Sequence, residues 1–129
     1  MAVKKAVKKE TSLMVPDGTV FVNCMTPCSR CDKLKVHITS SVRAWAKEQG
    51  YTITINSKSN KTMDYWKTYG KPKKVLTVTP QMYVIKTQEN FAGVSVGPGK
   101  VVGSYKIPPM DKWNSTMVKE IITALMGLC

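Results

Sequence analysis

Two cysteines separated by two residues, Cys28 and Cys31, restrict the fold of this sequence more than any other feature. Residues 19–23, a few positions before them, are mostly apolar and predict a short buried strand. The apolar residues after them recur at helical spacing, in the order Leu34, Ile38, Val42 and Trp45. The sequence therefore predicts a strand that leads through the cysteine pair into an amphipathic helix, which Gly50 ends.

The place of the pair at a helix N-terminus favours redox chemistry. Unpaired backbone N–H groups and the helix dipole stabilise a thiolate at the first cysteine. Arg30, Lys33 and Lys35 add positive charge nearby. The spacing brings the second sulfur within reach of the first with little backbone motion. We therefore predict that Cys28 is the catalytic nucleophile and Cys31 the resolving thiol.

A C-x-x-C segment also occurs as half of a zinc site. This chain has no second such pair, and its one histidine, His37, is more typical of a helix surface. Cys24 completes the three-cysteine spacing of radical S-adenosylmethionine enzymes, but those domains are much longer and usually have an aromatic residue where Arg30 stands. We predict no metal site and interpret Cys24 as a small apolar residue at the strand end, with an auxiliary redox pair as the alternative.

The composition is that of one globular domain. The chain has 129 residues, of which 43% are hydrophobic and 22% charged, enough to bury a core without a metal or disulfide. We expect residues 1–17 to form a basic, flexible tail and residues 18–129 a single domain. No apolar run approaches the ~20 residues of a membrane span, and residues 1–12 lack the core of a signal peptide. We expect a cytoplasmic protein with reduced thiols and no membrane partner.

The net charge of +12 favours an anionic partner. The lysines concentrate within residues 1–9 and 58–74, a pattern that a basic tail and a solvated lysine face explain. The sequence has no basic-aromatic motif such as the RNP pattern. Nucleic-acid binding is therefore the less favoured interpretation.

The later segments complete an α/β pattern. The remaining predicted elements are a strand at 51–55, a short helix at 60–69, strands at 81–85 and 100–105 joined by a loop over 86–98, and a helix beginning near Asp111. Helices between the early strands imply parallel pairing, and the late hairpin adds antiparallel strands. The sequence thus predicts a small mixed β-sheet with helices on both faces.

Thr79 and Pro80 stand directly before the strand at 81–85. This is where thioredoxin-fold proteins carry a cis-proline, an uncommon bond outside tight turns. With the cysteine pair, it makes residues 19–126 resemble the thioredoxin superfamily, and glutaredoxins more than thioredoxins. The run that starts at Thr79 is similar to the Val-Pro-Gln-Ile-Phe-Ile stretch of glutaredoxins. The resemblance implies a thioredoxin-like fold, with the proline beside the active disulfide and the backbone of Thr79 binding an extended substrate.

The chain departs from the glutaredoxin pattern around the expected glutathione site. Met25 stands where these proteins usually carry a lysine, and Arg30 or Lys33 substitutes for that lysine only in part. Gly103 and Ser104 take the place of the paired glycines after the last strand, without the acidic residues that follow them there. The residues expected to bind substrate are Thr79, Pro80, Arg30, Lys33, Gly103 and Ser104.

The resemblance implies a thiol-disulfide oxidoreductase that reduces protein or glutathione-mixed disulfides. Such an enzyme requires no cofactor. Its electrons come from glutathione as co-substrate or from a reductase of the thioredoxin-reductase type. The size, the lysine content and the long loop suggest a virus- or phage-encoded member acting on disulfide-containing proteins in the host cytoplasm, ribonucleotide reductase among them. Two alternatives stay open: a redox-inactive binding protein for nucleic acid or an acidic protein, and an iron–sulfur or zinc carrier that uses Cys28 with Cys31 or Cys24.

Overall fold

One mixed sheet of four strands organises the protein. The computed structural model describes residues 16–25, 28–58, 80–87 and 89–129. The elements in these ranges are β1 (Thr19–Met25), α1 (Ser29–Lys35), α2 (Ser40–Glu48), β2 (Thr52–Lys58), β3 (Gln81–Thr87), β4 (Asn90–Ser95), β5 (Val101–Val102), β6 (Tyr105–Lys106), a 3₁₀ turn (Met110–Lys112) and α3 (Ser115–Leu128). The predicted basic tail lies almost entirely outside the described residues, and the helix predicted at 60–69 lies entirely outside them.

The strands of the sheet follow the order β2-β1-β3-β4. β1 is parallel to β2, with Val20 opposite Ile53. β3 is antiparallel both to β1 and to β4, so it runs against the other three strands. The sequence predicts parallel pairing of the early strands and further antiparallel strands from the second half of the chain. The mixed α/β class is confirmed. The two central strands, β1 and β3, are buried along most of their length, as strands with neighbours on both sides should be.

The sheet divides the core into two clusters because successive side chains of a strand point to opposite faces. Val20, Val22, Met82 and Val84 belong to the larger cluster. All three described helices contribute to it, with Leu34 from α1 and Ile38 just after it, Val42 and Ala46 from α2, and Met117, Ile121 and Leu125 from α3. The alternate residues Phe21, Tyr83 and Ile85 form the second cluster with Phe91. The described helices therefore cover one face of the sheet.

The helix predicted to run from Cys31 to Gly50 is two helices. α1 ends at Lys35 and α2 begins at Ser40. Between them, Thr39 is extended, and its hydroxyl accepts a hydrogen bond from the Val42 N–H at 3.2 Å. A threonine that satisfies an unpaired N–H in this way starts a new helix. The prediction of one continuous helix was wrong, while its end at Gly50, which has a φ of +88°, is confirmed.

A strand lies where the sequence predicts a loop. β4 occupies part of the predicted loop at 86–98 and pairs with β3, placing Gly93 opposite Tyr83. Residues 101–102 and 105–106 instead pair with each other in a separate hairpin. The prediction that 100–105 is the partner of 81–85 was therefore wrong. Gly93 weakens the strand signal of its segment, yet a Cβ at Gly93 would collide with the Tyr83 ring, which lies across it.

The C-terminal helix begins later than predicted and ends in a packed cysteine. A 3₁₀ turn includes Asp111, and α3 starts after Asn114, whose side-chain oxygen accepts a hydrogen bond from the Met117 N–H at 2.9 Å. At the other end, the Cys129 thiol donates to the Leu125 carbonyl at 3.4 Å and lies 3.7 Å from the Val84 carbonyl. The chain end is thereby docked on the main core.

Candidate active site

Cys28 and Cys31 lie where β1 leads into α1. Cys28 is the extended N-cap residue of the helix, with φ −161° and ψ 104°. Its sulfur accepts a hydrogen bond from the Cys31 N–H at 3.0 Å. The two sulfurs form a disulfide, and the two Cα atoms are 5.2 Å apart, within the ordinary range for such a bond. The predicted spacing therefore does allow a disulfide around the first turn of the helix.

The two sulfurs differ in their access to solvent. Cys31 is 0% exposed and belongs to the main core, whereas Cys28 is half-buried and packs against the edge of that core. A disulfide approaching from solvent therefore meets Cys28 first. This order suits an attacking Cys28 and a resolving Cys31, although the catalytic roles themselves stay a prediction.

A third thiol lies in the same core. Cys24 is 0% exposed, and burial raises its pKa to about 11, with Lys35 opposing the rise and Asp32 adding to it. A thiol with this pKa is protonated at neutral pH and is a poor nucleophile. The burial of Cys24 agrees with its interpretation as an apolar residue of β1 rather than as a reactive thiol.

Arg30 projects from the first turn of α1 towards the loop that follows β4. Its Nη1 atom lies 3.4 Å from the point that a Cβ of Gly97 would occupy, and Cγ of Lys100 lies 3.9 Å from the same point. The Arg30 Nε is buried without a hydrogen-bond partner. Within the part of the chain that the structure describes, the one ion pair joins Lys35 to Asp32 at 3.5 Å, so Arg30 and Lys100 are in none.

Pro80 lies beside this loop at the start of β3. It is buried, and its carbonyl accepts a hydrogen bond from the Val96 N–H at 2.8 Å. The bond ties the beginning of β3 to the residue before Gly97. Thr79 falls outside the described residues, and so do the bond predicted to be cis and the predicted backbone contact of Thr79 with substrate.

The other predicted substrate-binding residues lie on α1 and in the turn between β5 and β6. Lys33 is exposed on α1. Gly103 and Ser104 form the turn between β5 and β6, and a Cβ at Gly103, where φ is +60°, would lie 3.7 Å from Ala124 of α3. Gly103 therefore lies beside the C-terminal helix. A role in substrate binding for these three residues stays a prediction.

The sequence pattern does not predict that Gly97 lies beside Arg30. It predicts the last strand at 100–105 and the paired glycines at Gly103 and Ser104, whereas β4 ends at Ser95. Two glycines, Gly97 and Gly99, do follow the true strand end. The alternation of Ala92, Val94 and Val96 with smaller residues is the sequence signal that indicates a strand before them.

A buried pair of amides was also missed. Asn23 of β1 and Gln81 of β3 are paired across the sheet, and each is 1% exposed. The Asn23 side-chain NH₂ donates to the Gln81 side-chain carbonyl at 3.4 Å. Buried amides need such partners, and this one links the ends of β1 and β3 that precede Cys28 and follow Pro80. In the sequence, each amide is an ordinary polar residue near the end of a predicted strand. The two become neighbours only through the pairing of β1 with β3.

Two further findings concern the described residues alone. Within those ranges, no group of three or more His, Cys, Asp or Glu side chains is placed to hold a metal ion. None of the helices in the described ranges combines the length and the apolar character that crossing a bilayer requires.

Comparisons with protein-family models, with curated proteins and with solved structures find no match for this chain. Its functional class is therefore inferred from its own geometry. The disulfide between Cys28 and Cys31, at the junction of a central strand and a capped helix, is the feature with the clearest chemistry.

Proposed function

We propose that this chain is a thiol-disulfide oxidoreductase with a thioredoxin-like fold and a glutaredoxin-like pattern. The observation that carries the proposal is the disulfide between half-buried Cys28, the N-cap of α1, and fully buried Cys31. The mixed sheet supports it, since its central strand β1 leads directly into the pair. Pro80, buried at the start of β3, adds to this support.

The cycle begins from the dithiol form. The Cys28 thiolate attacks one sulfur of a substrate disulfide, forms a mixed disulfide with it and displaces the other substrate sulfur as a thiolate, which is then protonated. Cys31, after losing its proton, attacks the Cys28 sulfur and releases the second substrate thiol. Two electrons and two protons pass to the substrate, and the protein is left with the Cys28–Cys31 disulfide. Two molecules of glutathione or a dithiol reductase then return it to the dithiol.

The helix cap assists the first step. The Cys31 N–H lies 3.0 Å from the Cys28 sulfur and donates a hydrogen bond to it. Such a bond is stronger to a thiolate than to a thiol, because the charged acceptor attracts the donor more strongly. The same contact therefore stabilises the attacking form of Cys28. We propose protein disulfides as substrates and the reducing cytoplasm as the location that keeps the pair in its dithiol form.

Cysteine substitutions test this function. Cys28→Ser should abolish reduction of a peptide disulfide, because it removes the attacking sulfur. Cys31→Ser should accumulate a mixed disulfide at Cys28, detected as an adduct by mass spectrometry, because no resolving thiol is left.

Cys129→Ser is the matched control, because Cys129 packs against Val84 and Leu125 and takes no part in the exchange. This variant should keep the wild-type rate. A Cys28→Ser protein that still turns over substrate would refute the proposed function.

A further inference from the structure

The register of β1 against β3 is not specified by the usual signals. β1 is buried from Thr19 to Cys24 and β3 from Gln81 to Ile85, so both faces of both strands are covered along these residues. Alternation of polar and apolar side chains specifies a register strongly only where one face is buried and the other is not. A tight turn specifies it in a hairpin, but residues 26–80 lie between these two strands. The observed pairing therefore needs another determinant.

The amide pair, Asn23 and Gln81, supplies this determinant. The two residues are opposite each other, both are fully buried, and the Asn23 side chain donates to the Gln81 side-chain carbonyl at 3.4 Å. Their neighbours on the same face of the sheet are Phe21 and Tyr83, which are also opposite each other. A two-residue slip would place Asn23 opposite Tyr83, and the reverse slip would place Gln81 opposite Phe21. Either slip breaks the amide bond and buries an amide against an aromatic ring, which is unfavourable.

The other buried polar residue of β1 does not contribute to this choice. The Thr19 hydroxyl donates to the carbonyl of Pro16, three residues earlier in the same segment, at 2.6 Å. This bond stays intact wherever β3 pairs. Thr19 is therefore a matched control, since it is a buried polar group of β1 whose side-chain bond does not join two strands.

The register decides where Pro80 lies. Continuing the pairing of β1 with β3 by one step places Pro80 opposite Cys24, in the segment that leads to the cysteine pair. β4 moves with β3, because the Val96 N–H donates to the Pro80 carbonyl at 2.8 Å. Gly97, the next residue, lies beside Arg30 of α1. A two-residue slip would move Pro80 by about 7 Å along β1 and would carry Gly97 away from Arg30.

We propose that Asn23 and Gln81 are positioning residues that fix the register of β1 with β3 and so place Pro80 against the segment that carries Cys28. The inference rests on the proposed function, in which a substrate disulfide reaches Cys28 next to Pro80. The amides lie on the face of the sheet opposite Cys31, so they act through the strands rather than on the sulfurs. A hydrogen bond between buried amides is directional, whereas apolar side chains of similar size pack in more than one register. Single buried polar residues select one register in coiled coils in the same way.

The test removes both amides together in the full chain. Asn23→Leu combined with Gln81→Leu leaves neither amide without its partner, so this apolar variant is expected to fold. At equal populations of the native register and the two slips, about one third of the molecules hold the native register, which lowers kcat/KM for a peptide disulfide about threefold. The ¹⁵N amide spectrum should show additional signals for residues 81–87, whereas the wild type shows one set.

Two further variants separate positioning from a merely structural role. Thr19→Val should lose stability but keep the wild-type kcat/KM and one set of signals, because its bond is local. Exchanging the amides, as Asn23→Gln with Gln81→Asn, retains a bond between the strands and should restore both measurements. If the apolar variant is unfolded, Gln81→Met takes its place, since it removes this partner of Asn23 in every register and should give the same additional signals and lower kcat/KM.

Each outcome has a separate meaning. Additional signals and a lower kcat/KM in the apolar variant, both absent from Thr19→Val, support the inference. One set of signals with the wild-type kcat/KM in the apolar variant overturns it, and so does an equal loss of kcat/KM in Thr19→Val. Additional signals with an unchanged kcat/KM overturn the role of the register in placing Pro80. A wild-type protein that reduces no disulfide overturns the proposed function, while the amide spectra still decide whether the amide pair fixes the register.

Discussion

Cys28 combines two tasks in one side chain. Its sulfur caps α1 by accepting the Cys31 N–H, and it closes the disulfide with Cys31. The helix terminus thus points a donor at the atom that must carry negative charge in the dithiol form. Cys24, also in the core, has the opposite environment, because burial raises its pKa and so favours its neutral form. Two cysteines four residues apart are therefore expected to differ widely in reactivity.

The raised pKa of Cys24 predicts a pH dependence of stability. The folded protein holds this proton up to a pKa of about 11, whereas the ordinary pKa of the thiol, which applies to an unfolded chain, is 9.0. Above pH 9 the unfolded state therefore binds fewer protons than the folded state, and stability falls as the pH rises from 9 to 11. The pKa values of Cys129, Tyr51 and Tyr105 are also raised by burial and act in the same direction.

Urea denaturation with excess reductant at pH 7.5, 9 and 10.5 measures this effect. Relative to wild type, Cys24→Ala should lose less stability over the range, by roughly 1 to 2 kcal/mol at pH 10.5. Ionisation of the lysines is common to both proteins, so it cancels in the difference. Parallel losses in the two proteins would show that Cys24 ionises as readily when folded as when unfolded.

At the scale of elements, the pairing of β3 with β4 depends on a glycine. Gly93 is opposite Tyr83, and the ring covers the place of the missing side chain. Glycine usually destabilises a strand, because it loses more conformational entropy on folding than other residues. Here the missing Cβ lets the Tyr83 ring lie flat on the sheet. The second core cluster, which includes Tyr83, Ile85 and Phe21, depends on this arrangement.

Gly93→Ala is expected to destabilise the protein by about 1 to 3 kcal/mol, because the new methyl group collides with the buried Tyr83 ring. Gly127→Ala is the matched control in α3, where an added Cβ meets open space. The control should stabilise the protein by up to about 1 kcal/mol, as alanine is the better helix former. Thermal unfolding of both variants measures the difference, and equal effects of the two would contradict the account of Gly93.

The elements also show which parts of the fold can be predicted from sequence. β1, β2 and β3 have strong strand patterns, and their segments were identified correctly. α1 and α2 are separate because Thr39 caps the start of α2. The apolar residues keep the same helical spacing through both helices, so the sequence pattern does not reveal the break. β4 is not predicted from sequence because Gly93 lies within it and a polar run, residues 87–90, leads into it. Its stability as a strand comes from contacts with β3, which lie outside its own sequence.

At the scale of the whole molecule, the sequence predicts only those parts of the candidate site whose residues are close together in the chain. The cysteine pair, the strand before it and the helix after it form one continuous segment, and its geometry follows from local rules. The approach of Arg30 to Gly97 instead requires the register of β3 with β4 and the path of the following loop. Contacts between residues so far apart in the chain form only when the whole sheet is assembled, and the periodicity of the sequence does not predict them.

The strong positive charge gives the whole molecule a preference among partners. With a net charge of +12, the protein attracts acidic surfaces at long range. The alternative of a redox-inactive binding protein uses the same charge without the disulfide. The redox behaviour of the cysteine pair therefore separates the two functions most directly.

The decisive measurement is a redox titration of the full chain in glutathione and dithiothreitol buffers, with the thiols trapped and identified by mass spectrometry. We predict one two-electron transition, assigned to Cys28 and Cys31, at a potential between about −270 and −180 mV. Cys24 should remain a free thiol throughout, because it is fully buried. If Cys28 and Cys31 form no disulfide at any potential tested, the chain is not a dithiol oxidoreductase.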